Sequence, residues 1–252
     1  MTAQTRKPLY LNIADDLAAR LDDFGPDGRL PTENELADDL QVNRLTARAA
    51  VQELERRLLV RRYRGVGTFV SKRLDYVVGG NHPPSWHETI RSVGATPREH
   101  TESMTVVRDP DPSMREALAL RPGEAVVALS RLRYVDDELA GCSEVLLNAA
   151  LLPGIENKLE PTASIYRYLH DHYHLEPYRG WSEVSMEIPP ADVAEQLGAS
   201  AQPLYFLHQS RIDSRSLGRS IEHVTAWLRP EVVRVRVVYG NPHPEQEPHS
   251  QP

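Results

Sequence analysis

Between residues 42 and 73 the chain gathers nine lysines and arginines (Arg44, Arg48, Arg56, Arg57, Arg61, Arg62, Arg64, Lys72 and Arg73) against two glutamates, Glu53 and Glu55. The local net charge is +7, inside a chain whose net charge is −7. A cationic island in an acidic chain points to a polyanionic partner. Asn43 has the side chain of a helix N-cap, and Ala47, Ala50, Val51 and Leu54 recur at the spacing of one buried helical stripe. Arg44 and Arg48 lie off that stripe and one turn apart, near a helix N-terminus whose free N–H groups favour phosphate. Residues 60–64 and 68–70 read as short strands joined by Gly65-Val66-Gly67. A capped helix followed by a basic, glycine-tipped ribbon is the outline of a winged helix.

Upstream, Tyr10, Ile13, Leu17 and Leu21 predict a helix over about 9–21. Thr32-Glu33-Asn34-Glu35 has the form of a capping box and predicts a second helix over 33–40. Residues 1–7 read as a loose arm. Beyond residue 73 the charge reverses to a net −9, so the C-terminal portion is a poor nucleic-acid surface.

The strings Gly28-Arg29-Leu30-Pro31-Thr32-Glu33, Val42-Asn43-Arg44-Leu45-Thr46-Ala47-Arg48, Leu54-Glu55-Arg56-Arg57-Leu58-Leu59 and Arg64-Gly65-Val66-Gly67-Thr68-Phe69-Val70 resemble, in order, the N-terminal domain of GntR-family bacterial transcription regulators. The resemblance implies operator binding by a homodimer. Arg44, Leu45, Thr46 and Arg48 would then enter the major groove, and the wing of Arg64, Gly65 and Gly67 would lie near the minor groove, with Thr32 beside them. Leu45 stands where the family more often has a small hydroxyl residue, and it suits a thymine methyl.

Residues 74–84, where Asp75-Tyr76-Val77-Val78 has the composition of a short strand and Gly79-Gly80-Asn81 and Pro83-Pro84 are breakers, are expected to form a linker between domains at 1–73 and 85–240. The second domain alternates short helices (86–93, 112–120, 164–174, 191–197) with strands (104–108, 126–135, 143–148, 181–188, 204–212, 220–228, 232–239). Most strands follow one another without a crossover helix, so a mainly antiparallel α+β domain is expected. Residues 241–252 carry four prolines and are expected to be a disordered tail.

Leu129-Ser130-Arg131-Leu132-Arg133-Tyr134, Ser143-Glu144, Ser164-Ile165-Tyr166-Arg167-Tyr168-Leu169, Gln196-Leu197-Gly198 and Ser220-Ile221-Glu222-His223 resemble the UTRA effector domain of the HutC subfamily, whose fold is similar to chorismate lyase. Independently, Arg131 and Arg133 share a strand face with Val127 and Leu129, and two arginines on such a face need an anionic partner. That partner is either a small phosphate- or carboxylate-bearing metabolite or an internal glutamate: Glu144, Glu183 or Glu222. The resemblance implies a pocket lined by Arg131, Arg133, Glu144, Ser164 and Glu222. Tyr166, Glu183 and Trp227 are further candidates.

The resulting expectation is a dimeric, effector-controlled transcription regulator, a repressor by family habit, with no cofactor, metal or membrane partner. Two rivals remain open: a DNA-binding dimer that senses nothing, and a lyase-like enzyme on the C-terminal fold. Of His170, His172 and His174, only the first and last share a helix face, and the single Cys142 supplies no metal-binding pair. No apolar run approaches the roughly 18 residues of a membrane helix, and residues 1–8 lack a signal-like apolar region, so a cytoplasmic location is expected.

Overall fold

The computed structural model describes residues 7–24, 28–79, 85–198 and 204–238. The expected arm before residue 7, the 80–84 half of the linker and the tail lie outside them. Contacts divide the chain into two units, Met1–Arg73 and Leu74–Pro252.

The first unit contains α1 (Leu9–Ala18), α2 (Glu33–Asp39), α3 (Arg44–Arg56), β1 (Val60–Tyr63) and β2 (Gly67–Val70). The capping box forms as its residues dictate: Glu35 Oε2 accepts from Thr32 N at 2.7 Å, and Thr32 Oγ1 accepts from Glu35 N at 3.3 Å. Asn43 Oδ1 accepts from Thr46 N at 2.8 Å and starts α3. The stripe of Ala47, Ala50, Val51 and Leu54 packs against Ala14 and Leu17 of α1, Leu36 of α2 and Val60. Two alanines among these four let the helix axes approach closely. β1 and β2 pair antiparallel from Val60 opposite Val70 to Tyr63 opposite Gly67. Gly65 and Gly67 take φ of 76° and 146°, conformations that a side chain would strain.

The second unit runs β3 (Leu74–Gly79), α4 (Trp86–Ser92), β4 (Pro97–Val107), α5 (Pro112–Ala117), β5 (Val126–Val135), β6 (Glu138–Asn148), α6 (Ile165–Tyr173), β7 (Pro177–Glu187), α7 (Ala191–Gln196), β8 (Tyr205–Ser214), β9 (Arg219–Leu228) and β10 (Val233–Val238). Six strands form one antiparallel sheet in the order β4-β5-β6-β9-β8-β7. One sheet face carries the main core, with Val127, Leu129, Val145, Leu147 and Val224 under Trp86 and Ile90 of α4 and Ile165 and Leu169 of α6. On the other face Leu132, Cys142 and Trp227 meet Val193 and Leu197 at α7.

Two expectations change. Residues 74–79 are not linker: β3 pairs in parallel with β10, and Tyr76 and Val78 enter the main core. β4 begins at Pro97 rather than 104, with a bulge between Thr101 and Ser103.

Candidate functional site

The basic island of the first unit separates into two groups. Arg56 donates to Glu53 through Nε and Nη2, both at 2.7 Å, and Arg57 donates to Glu53 and to Asp15 at 2.7 Å each. Hydrogen bonds from Arg56 and then Arg57 hold the Glu53 carboxyl at about 2. Arg62 Nη2 donates to Glu33 Oε1 at 2.7 Å. These guanidiniums are tied to the protein's own carboxylates.

The second group faces outward. Arg44 is exposed and pairs with Glu33 only at 3.6 Å. Arg48 and Arg64 are exposed, and no ion pair is seen for either among the described residues. Leu45 is 75% exposed at the same helix end. Thr46 is half-buried and its hydroxyl bonds to Asn43 Oδ1 at 3.1 Å, so it completes the cap. The Thr32 hydroxyl is likewise engaged, donating to Glu35 at 2.8 Å. A cleft of about 560 Å³ runs between the start of α2 and the wing, lined by Arg29, Thr32, Arg62, Arg64, Gly65 and Gly67 among others. Sequence reasoning did not single out Arg29. Its placement comes from the bridge it makes to Phe69 of β2, a long-range pairing that no local pattern reports.

In the second unit β5 alternates as expected. Arg131 and Arg133 point to the core face, 1% and 7% exposed. Their partner is Glu99 of β4, which no reading of the sequence proposed. Glu99 sits opposite Arg133 in the ladder, and Thr101 sits opposite Arg131. Glu99 Oε1 accepts from Arg133 Nε at 3.2 Å, while Oε2 lies 3.4 Å from Arg131 Nη1 and 3.0 Å from His87 Nδ1. Burial alone would raise the Glu99 carboxyl, but Arg131, His87 and Arg133 outweigh it and hold it at about 2.

Arg131 also ties this cluster to α6. Its Nε donates to Thr101 Oγ1 at 3.1 Å and its Nη2 to the Ala163 carbonyl at 2.7 Å. The next residue, Ser164, caps α6 through Arg167 N. A depression of about 300 Å³ opens there, lined by His87, Arg91, Thr162, Ser164 and Arg167 among others. Glu222 of β9 shares the core face: burial pushes its carboxyl up to about 7, against the hydrogen bond from Tyr166 and the attraction of Arg133 and Arg131. Burial, then Glu222, raises the Tyr166 hydroxyl well above its ordinary range.

The structure therefore brings Arg131, Arg133, Tyr166 and Glu222 together, with Ser164 at the helix start beside them. It does not bring Glu144, Glu183 or Trp227 to that face. Arg131 is opposite Ser143, so Glu144, one residue on and opposite Ser130, points the other way. Glu183 follows the same alternation, opposite Gln209, and Trp227 is opposite Cys142. Glu144 and Trp227 instead border a cleft of about 550 Å³ beside α7, with Asp192 and Glu195.

Burial pushes the Cys142 thiol up to about 12, consistent with a packing role. The three histidines of α6 diverge: His170 pairs with Asp171 at 2.9 Å, His172 lies against the Tyr168 ring and His174 ends the helix at φ 53°. Among the described residues, no group of three His, Cys, Asp or Glu side chains could hold a metal, and no helix is long and apolar enough to cross a membrane.

Comparison with known families matches residues 9–70 to the bacterial regulatory proteins of the gntR family and residues 93–234 to the UTRA domain. The chain is 31% identical over 178 residues to YurK, an uncharacterised HTH-type transcriptional regulator of Bacillus subtilis, covering 68% of this chain and 70% of the relative. It is 29% identical over 233 residues to the HTH-type transcriptional regulator GgaR of Escherichia coli, covering 91% and 90%. The crystal structure of PhnF from Mycobacterium smegmatis superimposes with a TM-score of 0.62 at 23% identity, covering 90% of this chain and 98% of that one. At that identity the likeness is one of fold.

Proposed function

Because the chain belongs to the gntR family of bacterial regulatory proteins and carries a UTRA domain, we propose that it is a cytoplasmic homodimer that represses transcription until a small anionic metabolite binds its second unit. That it is a DNA-binding transcriptional regulator of this type follows from the family. In this reading the N-terminal end of α3 enters the major groove with Arg44, Leu45 and Arg48, and Arg64 with the Gly65–Gly67 turn follows the neighbouring minor groove. The observation that carries it is the division of the basic island: tied arginines buttress the fold, while Arg48 and Arg64 are exposed with no ion pair seen among the described residues and Arg44 keeps only a 3.6 Å pair with Glu33, beside a capped helix start.

Effector control draws its support from the buried cluster of Arg131, Arg133, Tyr166 and Glu222. An effector changes DNA affinity only by as much as it prefers one arrangement of the protein over another. A second reading, a DNA-binding dimer that senses nothing, is favoured by Glu99, whose carboxylate already lies against both arginines. The enzymatic alternative finds no support among the relatives, which are transcriptional regulators.

One experiment tests both parts. DNA selected by the purified protein is sequenced, and binding to the enriched site is then measured with and without phosphosugars, sugar acids and amino acids. A palindromic site whose affinity falls with one of these compounds supports the proposal. Absence of any enriched sequence refutes operator recognition, and an enriched site indifferent to every compound that also leaves the melting temperature unmoved favours the second reading.

A further inference from the structure

The wing of the first unit carries a cation that belongs to neither of its two strands. Residues 28–30 run beside β2: Leu30 N donates to the Thr68 carbonyl at 2.8 Å, Val70 N donates to the Gly28 carbonyl at 2.6 Å, and Arg29 stands opposite Phe69 in an antiparallel bridge. Alternation along an extended segment then separates the side chains. Leu30 is buried in the helical core, whereas Arg29 is exposed. The buried leucine and the two backbone hydrogen bonds fix where the Arg29 side chain starts.

Its guanidinium lies at the tip of the ribbon. A Cβ built on Gly67 would stand 3.1 Å from Arg29 Nε and 3.6 Å from Arg29 Nη2, so the guanidinium rests on bare backbone at the first residue of β2. Open space surrounds the Cβ position of Gly65 in the same turn, and Arg29 and Arg64 both line the cleft beside it. No ion pair or side-chain hydrogen bond is seen for Arg29 among the described residues. Two acids of that neighbourhood are engaged elsewhere: Glu35 Oε2 accepts from Thr32 N and Oγ1, and Glu33 Oε1 accepts from Arg62 Nη2 at 2.7 Å. The Glu35 carboxyl is held below its ordinary range first by the hydrogen bonds from Thr32, with Arg29 the weakest influence on it. No ion pair joins Arg29 to Glu55, which also lines the cleft. An exposed guanidinium seated on a wing without a counter-charge presents its donor fork to a phosphate.

We propose that Arg29 is a further DNA-contacting residue: its guanidinium, seated on Gly67, holds a backbone phosphate beside the wing. This rests on the operator reading above and adds a contact from outside both α3 and the ribbon. A phosphate carries no base identity, so the contact sets affinity and the placement of the wing, and leaves the choice of sequence to other residues.

The test is fluorescence anisotropy of the full chain on its enriched operator and on a scrambled duplex of equal length, over a series of salt concentrations, paired with thermal melts. Arg29→Ala is expected to melt like the wild type and to make the slope of log affinity against log salt shallower by about 0.9. With the two proteins converging near 1 M salt, that slope amounts to roughly eightfold weaker binding at 100 mM. The loss should be equal on both duplexes, and Arg29→Lys, which keeps the charge, should restore the slope. If Arg29→Ala does not melt cooperatively, Arg29→Gln, which keeps the aliphatic stem, is read in its place. Wild-type affinity and slope in the uncharged variant overturn the proposal, and so does Arg29→Lys behaving like Arg29→Ala. A loss of affinity that follows a lower melting temperature with the slope unchanged overturns it in favour of a structural role, and a loss confined to the operator overturns it in favour of base reading. These failures leave operator recognition standing, whereas a wild type that binds neither duplex overturns operator recognition and this proposal together.

Discussion

Arg48 and Arg56 lie on the same helix, carry the same charge and should behave in opposite ways. Arg48 is exposed with no ion pair seen among the described residues, so Arg48→Ala removes no internal contact and should change stability by no more than about 0.5 kcal/mol. If its guanidinium reads a base, operator affinity falls by about 1–3 kcal/mol, roughly 5- to 150-fold, at every salt concentration. If it meets only a phosphate, the loss is similar for all sequences and the slope of log affinity against log salt becomes shallower by about 0.9. Arg56 instead grips Glu53 through two 2.7 Å hydrogen bonds. Arg56→Ala should therefore lower the melting temperature while leaving operator affinity within about twofold, a difference of about 0.4 kcal/mol. Fluorescence anisotropy on a selected operator between 50 and 200 mM salt, paired with thermal melts, separates the outcomes. Wild-type affinity and salt slope in Arg48→Ala, with DNA binding lost in Arg56→Ala, would refute the division of the island into tied and available arginines.

Three further outcomes follow from the packing and the buried charges. Leu54 is fully buried under α1 and α2, so Leu54→Ala should cost about 2–5 kcal/mol in chemical denaturation and weaken DNA binding only through unfolding. Glu222, raised from 4.5 to about 7, contributes stability that is fully present below about pH 4.5 and lost as pH rises through 7, of order 3 kcal/mol at ~1.4 kcal/mol per pH unit. Glu222→Gln should flatten the fall in stability between pH 5 and 8, and an unchanged profile would contradict the burial of that carboxyl. A Cβ on Gly141 would clash with the Trp227 carbonyl across the ladder, so Gly141→Ala should destabilise the sheet by about 1–3 kcal/mol, measurable as a lower denaturant midpoint.

The parts of the fold that could be read from the sequence are those whose signal is local. The α3 stripe, its Asn43 cap and the Thr32–Glu35 box depend on residues within a few positions of one another, and each formed as its spacing required. The same holds for Arg131 and Arg133, whose shared face follows from the period of an extended strand. What lies across the sheet is decided by register instead, and register depends on the turn and bulge between strands. The family resemblance implies Glu144 beside the arginines, yet one residue of register turns it to the opposite face. The strand at 75–78 can be read locally, but its pairing cannot, because its ladder partner β10 lies at the far end of the second unit's sequence.

Glu99 escaped for a different physical reason. A strand is recognised by apolar residues at every second position, and in the first half of β4 the inward positions are Glu99 and Thr101, so that signal is absent where Arg133 and Arg131 stand opposite. The charges that satisfy one another across the ladder erase the hydrophobic pattern by which each strand would be found alone. Buried polar chemistry and legibility therefore trade against each other, and the stretch at 97–103, where a strand is present without its pattern, is also where the chain departs from a plain core. A reader of related chains should accordingly look for the site where an arginine-bearing strand runs beside a segment that alternates acid and hydroxyl residues. In this chain that rule selects Glu99 and Thr101, both of which contact the arginine pair.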